Sequence, residues 1–137
     1  MRLLAVRLAD GTDLKQGIID FAKAQYISAG VIVNGVGALK RVTLRMAGAT
    51  PNDQDIRDIA GPFEITSLAG TVSDVGEHFH ITLSDAGGGV IGGHLKGGII
   101  DITVELVIAV DDSLRFTREF DETTGFDELQ IRPVVVK

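Results

Sequence analysis

Apolar and polar residues alternate in short runs along most of this chain, the period-2 pattern of half-buried β-strands. Residues 2–8 alternate in this way and are closed by the turn pair Asp10-Gly11. One segment changes period: Leu14, Ile18, Phe21 and Ala22 form a stripe at helical spacing, behind Thr12 or Asp13 as the cap. That predicts a helix to about Gln25. A short buried strand follows over residues 29–36, punctuated by Asn34-Gly35-Val36-Gly37, and another over 42–46. Residues 47–60 show no period, contain Pro51-Asn52-Asp53, and predict a mobile surface loop.

Residues 62–72 read as a strand bent at Gly70, and residues 78–95 as a hairpin followed by Gly97-Gly98. A strand over 103–110 is apolar on both faces apart from Thr103 and Glu105. Two further strands are predicted over 115–120 and 131–136, with the acidic tip Asp121-Glu122 between them. Seven or eight strands and one main helix make a single α+β domain over residues 1–137, built largely on antiparallel pairing.

The hairpin carries the chemistry. Phe79, Ile81 and Leu83 alternate with His78, His80 and Thr82, and Asp85 to Gly89 is turn chemistry. Pairing Ser84 with Val90 sets Leu83 against Ile91, Phe79 against Leu95 and His80 against His94. Opposed residues of an antiparallel pair share a face, so the apolar residues fall on one side and all three histidines on the other. A bulge or a four-residue loop would flip His94 away. Imidazoles two residues apart on a strand sit roughly 6.5–7 Å apart at Cα, close enough to share one ion with a cross-strand third ligand. Three neutral imidazoles suit Zn²⁺, and less selectively Ni²⁺, Co²⁺ or Fe²⁺. The alternative is a polar strand face that merely carries histidines.

Composition narrows the function classes. The chain holds 137 residues, 45% hydrophobic and 23% charged, which is ordinary globular composition. It has no cysteine, so disulfides, thiolate zinc sites and cysteine nucleophiles are excluded. No apolar run approaches the roughly 18 residues of a membrane helix, and Arg2 and Arg7 interrupt any secretory leader. A cytoplasmic location is expected. The net charge is −6, which repels phosphate backbones, and aromatic residues are only 5%, so platforms for stacking bases are scarce. Direct DNA binding is disfavoured. Asn34-Gly35-Val36-Gly37 contains a Gly-x-Gly, but Lys40 stands where a dinucleotide fingerprint needs its third glycine.

Glu64 and Glu105 each interrupt an apolar strand, where an unpaired buried charge would be costly. They read either as exposed or salt-bridged residues, or as a fourth ligand or general base near the histidines. Arg41 and Arg45 are the candidate counter-charges, and could equally hold an anionic substrate or a neighbouring subunit.

Gly61-Pro62-Phe63-Glu64-Ile65-Thr66-Ser67-Leu68-Ala69-Gly70-Thr71, then His78-Phe79-His80-Ile81-Thr82-Leu83-Ser84-Asp85 and Val90-Ile91-Gly92-Gly93-His94-Leu95, resembles the plants-and-prokaryotes conserved (PPC) domain. Asn34-Gly35-Val36-Gly37-Ala38-Leu39 and Glu105-Leu106-Val107-Ile108 are similar to its pattern as well. The resemblance implies an α+β homotrimer whose shared strands form much of the subunit interface. In plants the domain follows AT-hook motifs and mediates oligomerisation and partner binding on DNA. This sequence has no Arg-Gly-Arg core, and Pro62 replaces an arginine of the plant pattern. Prokaryotic members that keep the histidines look like metal-containing proteins, and His78, His80 and His94 match those positions. The chain therefore resembles the free-standing prokaryotic branch.

Trimerisation would also cover the strand that is apolar on both faces, since one helix cannot. The leading expectation is a homotrimer that binds a transition metal, zinc above all, through His78, His80 and His94, with Glu64, Glu105 and Arg45 as accessory residues. Such a domain would serve as a small-ligand or regulatory module. The alternatives are a metal-dependent enzyme acting on a small molecule and a DNA-associated regulatory protein.

Overall fold

The computed structural model describes residues 1–135. Seven strands and one helix follow one another as β1 (Arg2–Ala9), α1 (Leu14–Ala24), β2 (Gly30–Arg45), β3 (Ile56–Ser73), β4 (Gly76–Ser84), β5 (Val90–Val110), β6 (Leu114–Asp121) and β7 (Phe126–Pro133). The first five strands form one antiparallel sheet in the order β1-β5-β2-β3-β4, and β4 also pairs with β5. The ladder β5-β2-β3-β4-β5 therefore closes on itself, and β1 extends it on the outer side of β5. β6 and β7 form a separate two-stranded sheet. The expected α+β architecture with one helix and antiparallel pairing is what the chain adopts.

Closure depends on strand length. β5 runs for 21 residues, pairing with β4 through Val90 to His94, with β2 through most of its remainder, and with β1 from Thr103 onward. β2 is likewise one strand of 16 residues, where the sequence pattern predicted two short ones. The register between β2 and β5 shifts after Ile32, Gly37, Leu39 and Thr43. Each such bulge adds local twist and bends the strand, which lets a few long strands wrap around a core.

The glycines read as punctuation have a different role. Gly35 and Gly37 lie inside β2, and Gly97 and Gly98 inside β5. A Cβ on Gly37 would overlap the carbonyl oxygen of Thr103 and lie 2.8 Å from Val104 Cα, with φ at +150°. That position requires close approach of two backbones, which glycine alone permits. The loop expected over residues 47–60 is also shorter, because β3 begins at Ile56 and pairs Ile56 to Ala60 with Arg45 to Arg41 of β2.

Helix α1 starts as predicted. Asp13 caps it, its Oδ1 accepting from Gln16 N at 2.9 Å, while its Oδ2 accepts from Gly98 N of β5 at 3.0 Å. Leu14, Ile18 and Ala22 are fully buried against the inner side of the sheet, and Phe21 packs at the edge of the same core. Phe79, Ile81, Leu83 and Leu95 join them. Each of the large side chains contributes about 1.5–3 kcal/mol by leaving water.

The last strand begins five residues earlier than its sequence pattern suggested, at Phe126 rather than Ile131, while β6 lies where it was expected. β7 spans Phe126–Pro133 and pairs Phe126 with Asp121, so the predicted strand over 131–136 ends at Pro133. Val136 lies outside the described residues. Asp121 accepts from the backbone N and the hydroxyl of Thr123, and Gly125 turns at φ +76°, which fixes this connection. No helix among the described residues is long and apolar enough to cross a membrane.

Candidate metal centre

The register deduced from the histidine hairpin is the one observed: Ser84 faces Val90, Leu83 faces Ile91 and His80 faces His94. The predicted Phe79–Leu95 pair does not form as a ladder step, because β5 leaves β4 after His94 and Leu95 pairs with Leu44 of β2. Both side chains still enter the core. On the other face His78 and His94 are half-buried and His80 is exposed.

Across the sheet the pairings Arg45–His94 and His94–His80 set one row of three side chains, from β2 through β5 to β4. His78 stands two residues from His80 on the same face. The ligating nitrogens of the three histidines all lie within 4.8 Å of one another, and His78 Nε2 is 3.1 Å from His80 Nε2. Tetrahedral zinc with Zn–N of about 2.0–2.1 Å sets its nitrogens roughly 3.3 Å apart. The donor set therefore fits one such ion with small side-chain adjustments.

Electrostatics favours the neutral, ligand-competent form of His78 and His94. Burial lowers the pKa of His78, with His80, Arg118 and Arg45 adding to the effect. Burial, then Arg45, lowers His94 to about 3. A metal competes only with protons at these nitrogens, so groups that resist protonation keep their lone pairs available.

Of the accessory residues, Arg45 alone joins the cluster. Its Nη2 is 3.5 Å from His94 Nδ1, and its guanidinium stands 5.3 Å from the centre of the Phe126 ring. Glu64 is exposed and pairs with Ala38 and Ser84, four residues along β4 from His80, roughly 13 Å at strand spacing. Glu105 pairs with Arg7 and Val36 on the outward face of β1-β5-β2. Neither carboxylate lines the clefts around the histidines of its own chain. Arg41 is engaged by Asp58 at 2.7 Å.

The acidic residues beside the cluster are others. Glu77, Asp127 and Glu128, with Arg118 and Phe126, share a cleft with Arg45, His78 and His94. Four of these five come from β6–β7, which folds over the β3–β4 hairpin: Arg118 Nη2 donates to Thr71 Oγ1 of β3 at 2.8 Å, and its side chain lies beside Gly76 of β4. Nothing local in the sequence marks them, since they reach the histidines only through tertiary packing. Only Glu77 has a local signal, its place directly before His78, although it is not among the residues expected from the sequence; it is held by Lys15 of α1 at 3.1 Å.

Residues 1–111 match the Plants and Prokaryotes Conserved (PCC) domain. The bifunctional protein GlmU of a Synechococcus strain is 38% identical over 135 residues, which is 98% of this chain. The chain spans only about a fifth, 21%, of that relative's length. A hypothetical protein from Salmonella has a structure with TM-score 0.91 and 34% identity, over 98% of this chain and 95% of its own. A candidate DNA-binding protein from Bacteroides thetaiotaomicron gives TM-score 0.84 at 26% identity, over 93% and 91% of the two chains. A metal-containing protein from Archaeoglobus fulgidus gives TM-score 0.81 at 26% identity, over 95% and 94%.

Proposed function

The chain belongs to the Plants and Prokaryotes Conserved domain family, written PPC above, and we propose that it is a homotrimeric metal-binding module holding one transition ion, zinc by preference, on His78, His80 and His94. The observation that carries this reading is the convergence of three imidazoles, from two strands, on one point within ligating distance. The description of the Archaeoglobus relative as metal-containing agrees with it. Three protein ligands leave one coordination position open, the arrangement of a ligand-binding or catalytic ion rather than a closed structural one. When bound, such an ion supplies Lewis acidity toward an oxygen donor in that position.

The trimer is supported by the outward face of β1-β5-β2. Leu3, Ala109 and Val31 form one cross-strand row there, and Ala5 and Val107 lie in the next. Leu3 is 67% exposed and Ile102, at the rim, 72%. Arg7 and Glu105 stand opposite one another amid these apolar residues, and neither has an ion-pair partner among the described residues. Such a face buries well against copies of itself, and the lone charges then find partners across the interface.

DNA association, suggested by the Bacteroides relative, is opposed by the net charge of −6. Elemental analysis of untagged protein beside His80→Ala tests the metal. One transition ion per chain, lost in the variant, is expected. No metal in either protein after reconstitution would leave the histidines as a polar strand face.

A further inference from the structure

The guanidinium of Arg45 stands beside the histidine cluster with no carboxylate to hold. Arg2, Arg41, Arg57, Arg115 and Arg132 each bind a carboxylate at 2.6–2.9 Å. Arg45 has no carboxylate partner among the described residues. A guanidinium offers five donors. Here one makes a long contact to His94 and the plane faces Phe126.

The cleft beside it has the complementary chemistry. Its volume is about 460 Å³, and it runs between the Met46–Ala49 turn and the Gly92-Gly93 pair, with His80, His94 and the Thr82 side chain on its walls. Ile81 completes the lining, which holds no aspartate or glutamate. The acidic groups Glu77, Asp127 and Glu128 lie in the other cleft, on the β6–β7 side of the cluster. Arg45 and His94 border both. One cleft thus holds three carboxylates beside Arg118, and the other holds Arg45 with no carboxylate.

We infer that this cleft binds a small oxyanion, a carboxylate or phosphate of a few heavy atoms, with Arg45 as its anchoring cation. The inference rests on the metal-binding reading only for the second contact: Arg45 grips one end of the anion by charge-assisted hydrogen bonds, which suit its planar fork. A metal held by His78, His80 and His94, of which His80 and His94 line this cleft, would supply Lewis acidity toward a second oxygen of the anion. Thr82, two residues from His80 on the same face of β4, completes the polar lining, and Gly92 and Gly93 let β5 approach the backbones of β4 and β2 closely there. A Cβ on Gly92 would lie 3.3 Å from Thr82 Oγ1 and 2.7 Å from Ile81 O.

The test is calorimetric titration of oxalate, pyruvate and inorganic phosphate into wild type, Arg45→Gln, Arg45→Lys and Lys96→Gln, each zinc-loaded and zinc-free. Lys96 carries a nearby positive charge but does not line the cleft. At least one anion should bind the zinc-loaded wild type, at least tenfold more weakly in Arg45→Gln at equal zinc content, and unchanged in Lys96→Gln. Partial recovery in Arg45→Lys, with wild-type urea unfolding, separates a lost contact from a damaged fold. The preferred anion identifies the ligand class. Equal affinity in wild type and Arg45→Gln, an equal loss in Lys96→Gln, or no binding of any anion overturns the inference. If the protein takes up no metal, the metal reading fails by itself. The zinc-free arm then decides the anion site, by whether anion binding is lost in Arg45→Gln.

Discussion

Gly70→Ala should damage both the fold and the histidine cluster, while Gly11→Ala, at another positive-φ glycine, should do neither to the same degree. Gly70 faces Phe79 in the β3–β4 ladder with φ +149°. A Cβ there would overlap the carbonyl oxygen of His78 and lie 2.9 Å from both the His78 carbonyl carbon and Phe79 Cα. Carbon atoms in good contact stand about 3.5–4.0 Å apart, so the two carbon contacts alone require β4 to retreat by roughly 0.6–1 Å, and the overlap with the oxygen requires more. The backbone strain costs about 1–3 kcal/mol, and each ladder hydrogen bond lost as the strands part about 1 kcal/mol more. A total near 3 kcal/mol is expected, a large share of a small domain's stability.

The displaced carbonyl belongs to His78, so zinc affinity should fall as well, by about 10–100-fold, the usual effect of disturbing what orients a ligand. Gly11 has φ +80° with nothing within 4 Å of its Cβ, so alanine there costs only the strain, about 1–2 kcal/mol. Urea unfolding of metal-free protein at fixed concentration, with zinc competition against a chelator, reads both effects. Equal destabilisation by the two substitutions, or undiminished zinc affinity in Gly70→Ala, would refute the reasoning.

Three further outcomes are expected. Asp13→Ala removes the cap of α1 and the acceptor for Gly98 N, and should cost about 1–3 kcal/mol in urea unfolding; a change under about 0.5 kcal/mol would contradict the two hydrogen bonds. His94, held at about 3 against 6.5 in the unfolded chain, stays neutral between those values while the unfolded state gains a proton. Metal-free protein should therefore lose stability as pH falls from about 6.5 towards 3 and gain nothing above 7, and a His94 proton resonance titrating near 6.5 would count against it. Val31→Lys places a charge on the outward face and should convert a particle of three 14.5 kDa protomers into monomers in sedimentation, with the monomer still folded; an unchanged trimer would move the interface elsewhere.

The sequence made the histidine hairpin legible because two periodicities agreed there. The alternation of Phe79, Ile81 and Leu83 fixed which residues face the core, and the Asp85–Gly89 loop fixed the register, so His94 fell beside His80. The cap at Asp13 was legible for a similar local reason. Strand lengths were not. Gly35, Gly37, Gly97 and Gly98 look like breaks, but their missing side chains let neighbouring backbones or side chains approach inside continuous strands. Arg45 could be named as a candidate, yet its place opposite His94 depends on four register shifts along β2 and β5 that no local pattern encodes. Arg118, Phe126 and Glu128 reach the cluster from a separate sheet; Arg118 lies in a predicted strand, whereas Phe126 and Glu128 fall outside any.

X-ray absorption at the zinc K-edge, on untagged protein reconstituted with one equivalent of zinc, tests the central claim most directly. The account predicts a first shell of three imidazole nitrogens at about 2.0–2.1 Å with one further light atom, reduced by one imidazole in His80→Ala. A first shell of oxygens without the multiple scattering of imidazole, or one unaltered in His80→Ala, would contradict it.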